Sequence, residues 1–498
     1  MNKKILILLA IILIAILAIA IIAIKQKRAV QNPEITKQEL QQKFQLIKSQ
    51  YEKAKADGYD VSEIEKIGRQ AKQAFDKGDY GKADTLVKRI FNLLGKTEIP
   101  ETSIVPPIST PVPIDNPTPT PSVSSLSQVK NAIVYERISD NRPKRTESEI
   151  AQIIKETNAD LVFRADWRWF PKYGKCSELS GNDIQLCTQS GMSYEIMKSY
   201  YDAIYKENPA AIIVAAIPTQ HINSPDKNEL TNETISSENS LAMALDPTAY
   251  GFSATKEEFQ AMFNGQFQGN SGYYPDINNP AFQELFLSWV KNQINIGANA
   301  LWYDLLFYQS NAFLRMTNKN PDLYDFTNPA VIKSFKSASY LVDETHKYAQ
   351  SVGKKVYIGS WSVSMYYSQK RPDLYTQPKL DFVTIAPKSE EIISGNYNDA
   401  YWNKFKTDVY AGFGNIPILV FFDWGFANSQ TEVFANMDKT AKTNALQTIA
   451  AYFKNKGMIF VYPVHGGNVV SGKSSIWYDS KNPTIDIYDT IKDLMNKK

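Results

Sequence analysis

Carboxylates, tryptophans and arginines gather where short apolar runs of this sequence stop. Glu136-Arg137 follow NAIVY; Arg164, Asp166-Trp167-Arg168-Trp169 close DLVFRAD; Trp302-Tyr303-Asp304 end ALWYD; Asp423-Trp424 end PILVFFD. His221, Trp361, Lys388, Glu390 and His465 stand just beyond four other runs. Breaking a glycosidic bond takes two carboxyl groups, one protonated and one ionised, with aromatic faces for the apolar side of a sugar ring. Asp304, Asp423 and Glu390 are the candidate catalytic groups. Glu136, Arg164, Asp166, Trp167, Trp302, Trp361, Trp424 and His465 are the candidate substrate contacts. Each has a plainer reading: Asp304 as a turn cap, Glu136 with Arg137 and Arg164 with Asp166 as ion pairs, the tryptophans as core. Period-two alternation places Arg164 with Asp166 on one strand face, and Trp302 with Asp304 on another.

These residues need a frame that brings run ends together. Eight apolar runs, at 131–136, 160–166, 211–218, 300–304, 355–361, 381–386, 417–423 and 458–463, alternate with amphipathic stretches such as ESEIAQIIKET and TNALQTIAAYFKNKG. Several helical stretches close on Gly just before the next run, a helix C-terminal signal. Strand–helix alternation repeated eight times predicts an α/β fold, a (β/α)8 TIM-type barrel over residues 128–498, whose chemistry lies where strands end. A doubly wound open sheet is the alternative. Residues 219–280 form an insertion after the third run, expected as a lid or rim.

The stretch YYPDINNPAFQELFLSWVKNQINIGANALWYD (273–304) resembles the fourth-strand region of (β/α)8 glycoside hydrolases of families 31 and 36. Their Asp-x-x-Asn-Pro, helix, glycine turn and Trp-x-Asp correspond here to Asp276, Asn279-Pro280, Gly297 and Trp302-Tyr303-Asp304. The resemblance implies that Asp304 is the nucleophile. It gives no acid/base after the sixth run, where Glu390 and Glu391 are nearest. Asp423 therefore competes with Glu390 for that role.

Residues 5–24 are an uncharged Ile/Leu/Ala run long enough to cross a bilayer as a helix, with no convincing cleavage site. They are expected to be an uncleaved transmembrane signal anchor. Residues 34–95 read as a small helical stalk: Ile64, Ile67, Ala71, Ala74 and Phe75 share one face, and Leu86, Ile90, Phe91 and Leu94 another. The stalk is a spacer or a docking site for a protein partner. Residues 97–127, rich in Pro, Ser and Thr, are an extended linker. Such stalks, with a possible disulfide between Cys176 and Cys187, place the large domain outside the cell on a single-pass membrane protein.

The net charge of +3 conceals a basic anchor and stalk and a slightly acidic large domain, which excludes a phosphate-tracking surface and makes nucleic acid a poor partner. With 3 His and 2 Cys there is no metal-ligand spacing, and no phosphate-cradling glycine loop or nucleophile elbow; no cofactor is expected. The reading is a membrane-anchored hydrolase of extracellular or cell-surface polysaccharide. The alternative is a non-enzymatic carbohydrate-binding or envelope-assembly protein on the same scaffold.

Overall fold

A computed structural model describes residues 62–94, 125–139, 145–179, 184, 187–188, 193–266, 272–362, 377–424, 428–471 and 474–497. They fall in two compact units, one on each side of position 115. The expected anchor at 5–24, the stalk residues 34–61 and most of the 97–127 linker lie outside the described residues. Among the described residues no helix is long and apolar enough to cross a membrane.

In the N-terminal unit, α1 (Ser62–Asp76) and α2 (Tyr80–Leu94) form a helical pair turned at Gly78, whose φ is 76°. Ile64, Ile67, Ala71 and Ala74 are buried as expected. On α2 the buried face is Ala83, Val87 and Ile90. Of the expected face on this helix, Ile90 is buried and Leu86 is only half-buried.

Each of the eight expected runs in the second unit is a strand: β1 (Ala132–Tyr135), β2 (Leu161–Trp167), β3 (Ile212–Pro218), β4 (Ala300–Asp304), β5 (Tyr357–Trp361), β6 (Phe382–Ile385), β7 (Ile418–Val420) and β8 (Ile459–Ser471). Neighbours pair in parallel in that order, and β8 pairs back onto β1 through Ala132↔Val461 and Ile133↔Tyr462. That closing pair makes the sheet a barrel and removes the open-sheet alternative. Helices α3 (Glu147–Thr157), α4 (Tyr194–Glu207), α5 (Pro280–Ile296), α6 (Pro329–Ser351), α7 (Asp399–Phe413) and α8 (Lys439–Asn455) connect successive strands. A strand absent from the expected set, β9 (Ser474–Asp479), folds back antiparallel on the long end of β8 before α9 (Tyr488–Asn496).

Side chains sort by strand parity. Val134, Phe163, Val214, Trp302, Phe382, Leu419, Phe421 and Val461 fill the barrel interior, while Ile133, Val162, Ile213, Leu301 and Tyr303 face the helices. This layered filling makes the interior a solid core, leaving only the mouth for chemistry. Motif residues at 276–297 act as punctuation. Asn279 caps α5 by accepting from the Ala281 and Phe282 amides, Pro280 takes the first helical position, and Gly297 ends the helix at φ 119°. Asp276 accepts from Gln309 Nε2 and the Asn278 amide.

The insertion at 219–280 carries two short two-stranded pairs, Ile222–Asn223 with Gly272–Tyr273 and Asp226–Lys227 with Thr234–Ile235. It is fastened by a fully buried charge cluster. Arg168, from the loop after β2, donates through Nε to Glu229 at 2.7 Å and through Nη2 to Asp226 at 2.6 Å, and its guanidinium lies 3.5 Å from the Trp289 ring centroid. Tyr194 donates to Glu229, and so does the Lys172 amide. The same loop after β2 contains the Cys176–Cys187 disulfide.

Candidate functional site

At the C-terminal mouth of the barrel one buried arginine collects carboxylates from other strands. Arg164, on β2, has φ 58° in the left-handed region, and the β2–β3 register breaks between Val162 and Asp166. A bulge at this point re-aims the side chains on either side of it. The Arg164 guanidinium turns into the barrel, 4.3 Å from the Trp167 ring centroid and 4.7 Å from those of Trp302 and Phe421. Its Nη2 lies 3.1 Å from Asp423 Oδ1, just past β7, and its Nη1 lies 3.7 Å from Glu136 Oε2, just past β1.

The same bulge overturns the expected pairing of Arg164 with Asp166. Asp166 belongs to the layer between sheet and helices, where it accepts from Gln293 Nε2 of α5 at 2.6 Å and pairs with Lys172 at 2.8 Å. Strict alternation fails here because the inserted left-handed residue adds a half-period.

Asp304 ends β4 and is followed by Leu305 at φ 53°. Gln220 Nε2 donates to its Oδ2 at 2.8 Å, and Thr219 Oγ1 to its backbone oxygen at 2.7 Å. Burial pushes the Asp304 carboxyl up to about 6; Arg164 and the Gln220 hydrogen bond oppose the rise, and the nearby charge of Asp423 adds to it. Glu136 is fully buried and is pushed up to about 7 by the same cause, against the opposing charges of Arg164 and Arg137 and the Trp424 hydrogen bond. Asp423 is the more open carboxylate, with 22% of its side chain exposed.

The tryptophans divide between core and rim. Trp302 is wholly buried and spends its indole N–H on Thr384 Oγ1, which makes it barrel filling. Trp167 is nearly buried. Trp169, Trp361 and Trp424 are half-buried. Trp424 stands between Trp167 and Trp477, with centroids 5.2 and 5.4 Å away, and donates its indole N–H to Glu136 Oε2 at 2.7 Å.

Two other expected site residues fall in different surroundings. Glu390 is exposed in the first turn of the helix Ser389–Ser394. His465 is buried in β8, with Nδ1 3.3 Å from Asp479 and Nε2 accepting from Trp477 Nε1 at 3.1 Å. Arg145 completes that network, pairing with Asp479 at 2.8 Å and donating to Tyr135 Oη at 2.6 Å. Gln220 was not anticipated; its only trace in the sequence is a polar Thr-Gln-His immediately after an apolar strand.

A closed parallel barrel with its charged residues at the strand C-termini makes this a (β/α)8 protein. No protein-family model matches the chain, and no curated protein matches it. Solved structures to which it is similar include three bacterial proteins. They are the glycoside hydrolase domain of PelA from Pseudomonas aeruginosa (8% identity over 69% of this chain and 95% of that one, TM-score 0.32), Amy13B of Eubacterium rectale (11%, 74% and 79%, 0.42) and the debranching enzyme of Nostoc punctiforme (11%, 75% and 80%, 0.38). At such identities and TM-scores these proteins say nothing about the activity of this chain.

Proposed function

We propose that the protein is a glycoside hydrolase acting on extracellular or cell-surface polysaccharide, with Asp304 as proton donor and Asp423 as the ionised partner. The observation that carries this reading is the Arg164 guanidinium at the mouth, ion-paired to Asp423 while Asp304 is buried beside both charges. Two carboxyl groups in such unlike surroundings divide the roles of acid and base. In this reading burial suits Asp304 to hold a proton, in place of the nucleophile role that the family resemblance implies for it. Glu390, exposed in the first turn of the helix Ser389–Ser394, takes no part in this reading.

In the reaction the bond between C1 and the bridging oxygen breaks, and the leaving oxygen takes the Asp304 proton. Asp423 either bonds to C1 or takes a proton from the water that attacks it. In the first case water then hydrolyses the glycosyl ester and returns a proton to Asp304. Half-buried Trp169, Trp361 and Trp424 offer rings for the sugar faces. An anchor at residues 5–24 and a helical stalk would hold this barrel at the outer membrane surface, a placement supported by the apolar run itself and by the Cys176–Cys187 disulfide, which suits an oxidising compartment.

The test is full-length protein in detergent against a glycan panel, wild type beside Asp304→Asn and Asp423→Asn. Wild type should release reducing ends, and each variant should lose about 10²–10⁴-fold in kcat while still binding. Binding of a glycan without turnover by wild type would make the protein a carbohydrate-binding one. Turnover untouched by both substitutions would overturn the assignment.

A further inference from the structure

Glu136 is wholly buried, yet its carboxylate is only partly used. Oε2 accepts from Trp424 Nε1 at 2.7 Å and faces Arg164 Nη1 at 3.7 Å, while Oε1 is buried with no hydrogen-bond partner among the described residues. The backbone is shaped to allow this. Gly466 has φ 120°, and a Cβ there would stand 2.4 Å from Glu136 Cβ; Gly467 has φ 97°, and a Cβ there would stand 2.8 Å from Trp424 Cγ. Two consecutive glycines of β8 therefore bring the strand against this acid and this indole and against no bulkier arrangement. The Glu136 amide in turn donates to the His465 carbonyl at 3.0 Å, fixing the acid to β8.

We propose that Glu136 is a positioning residue whose ionised carboxylate fixes the Trp424 indole across the mouth, so that the pose of this sugar-stacking ring follows the charge on Glu136. Its use as a sugar platform rests on the hydrolase reading; the coupling between acid and indole does not. A charged acceptor holds an N–H about twice as firmly as a neutral one, so protonation loosens the indole. The charged groups acting on Glu136 are Arg164 from β2, Arg137 beside it in the chain and Asp423 from the end of β7; from β8, Gly466 packs against it and the carbonyl of His465, a titratable residue, accepts its amide. Burial raises the Glu136 carboxyl to about 7, which places its change of charge near neutrality.

Full-length protein labelled with 5-fluorotryptophan and held in detergent gives a direct readout by 19F NMR, with the Trp424 resonance assigned by its loss in Trp424→Phe. Between pH 5.5 and 8.5 that resonance should move with a midpoint near 7 in wild type and stay fixed in Glu136→Gln, which retains an acceptor without a charge. A resonance that stays fixed in wild type, or moves unchanged in Glu136→Gln, overturns the proposal. The wild-type titration decides even if the variant fails to fold. Where a hydrolysed glycan is found, Glu136→Gln should raise KM about tenfold with a smaller change in kcat; equal losses in kcat and kcat/KM would overturn the positioning role. Titration of Trp424 in a protein that hydrolyses nothing would sustain the coupling and sink the hydrolase reading alone.

Discussion

Arg164 is the residue on which the mouth depends. It is 2% exposed, is flanked by the Trp167, Trp302 and Phe421 rings and faces two carboxylates, so removing its charge leaves Glu136 and Asp423 without their shared partner. Arg164→Met keeps most of the apolar contact and should destabilise the barrel by about 3 kcal/mol or more, read as a lower urea midpoint at unchanged slope. Gln220 tests the proton donor instead. Its N–H stabilises the ionised form of Asp304, so Gln220→Met should raise the Asp304 carboxyl further above about 6. If Asp304 is the general acid, activity falls as pH rises through that value, and the basic limb of the kcat/KM profile moves to higher pH in the variant. A limb that stays in place removes Asp304 from that role.

Among the elements, β8 and the inserted segment carry the sharpest constraints. Gly466→Ala puts a Cβ against Glu136 Cβ at a positive φ, whereas Gly353→Ala, at φ 67°, meets no atom within 4 Å. The second should lose only the backbone cost of about 1 kcal/mol; the first should lose about 3 kcal/mol and disturb Trp424 as well. Comparing the two by chemical denaturation separates conformation from contact. Arg168 performs a similar service for the insertion, because Asp226 and Glu229 are buried and depend on it. Arg168→Met should open residues 222–235 to rapid hydrogen exchange while the amides of β1 and β8 keep their protection. Equal loss of protection in both places would mean that the insertion and barrel unfold as one.

For the whole molecule, the site should be a source of instability at neutral pH. Asp304 and Glu136 have folded-state values of about 6 and about 7, above those of an unfolded chain. The native state therefore holds more protons than the unfolded one between roughly pH 4 and 7, and these two groups make stability fall as pH rises through that window. Asp479 acts in the opposite sense lower down: His465 and Arg145 overcome its burial and hold it at about 2, so its contribution is lost as pH falls from about 4 towards 2. Calorimetry at pH 5 and pH 8 should show Asp304→Asn raising Tm relative to wild type more at pH 8 than at pH 5. The reverse order would contradict the burial argument. A site that weakens the fold around it is the usual consequence of keeping charges ready for a substrate.

Much of the barrel was legible in the residues alone. Apolar runs such as IIVAAIP are hydrophobic on both faces because both faces are covered, and Asn279, Pro280 and Gly297 mark the ends of α5 through local backbone chemistry. The clustering of Asp304, Asp423, Trp424 and Glu136 at strand ends was equally visible, since a strand end in such a barrel is a place as well as a position. Tertiary structure decided what periodicity cannot encode. One left-handed residue at Arg164 separates it from Asp166, barrel closure brings Glu136 to Trp424 across 288 positions of sequence, and burial makes Trp302 core while leaving Trp424 at the rim. Local pattern sets which elements form and where they stop; which side chains meet, and with what charge, follows from closure, depth and a single bulge.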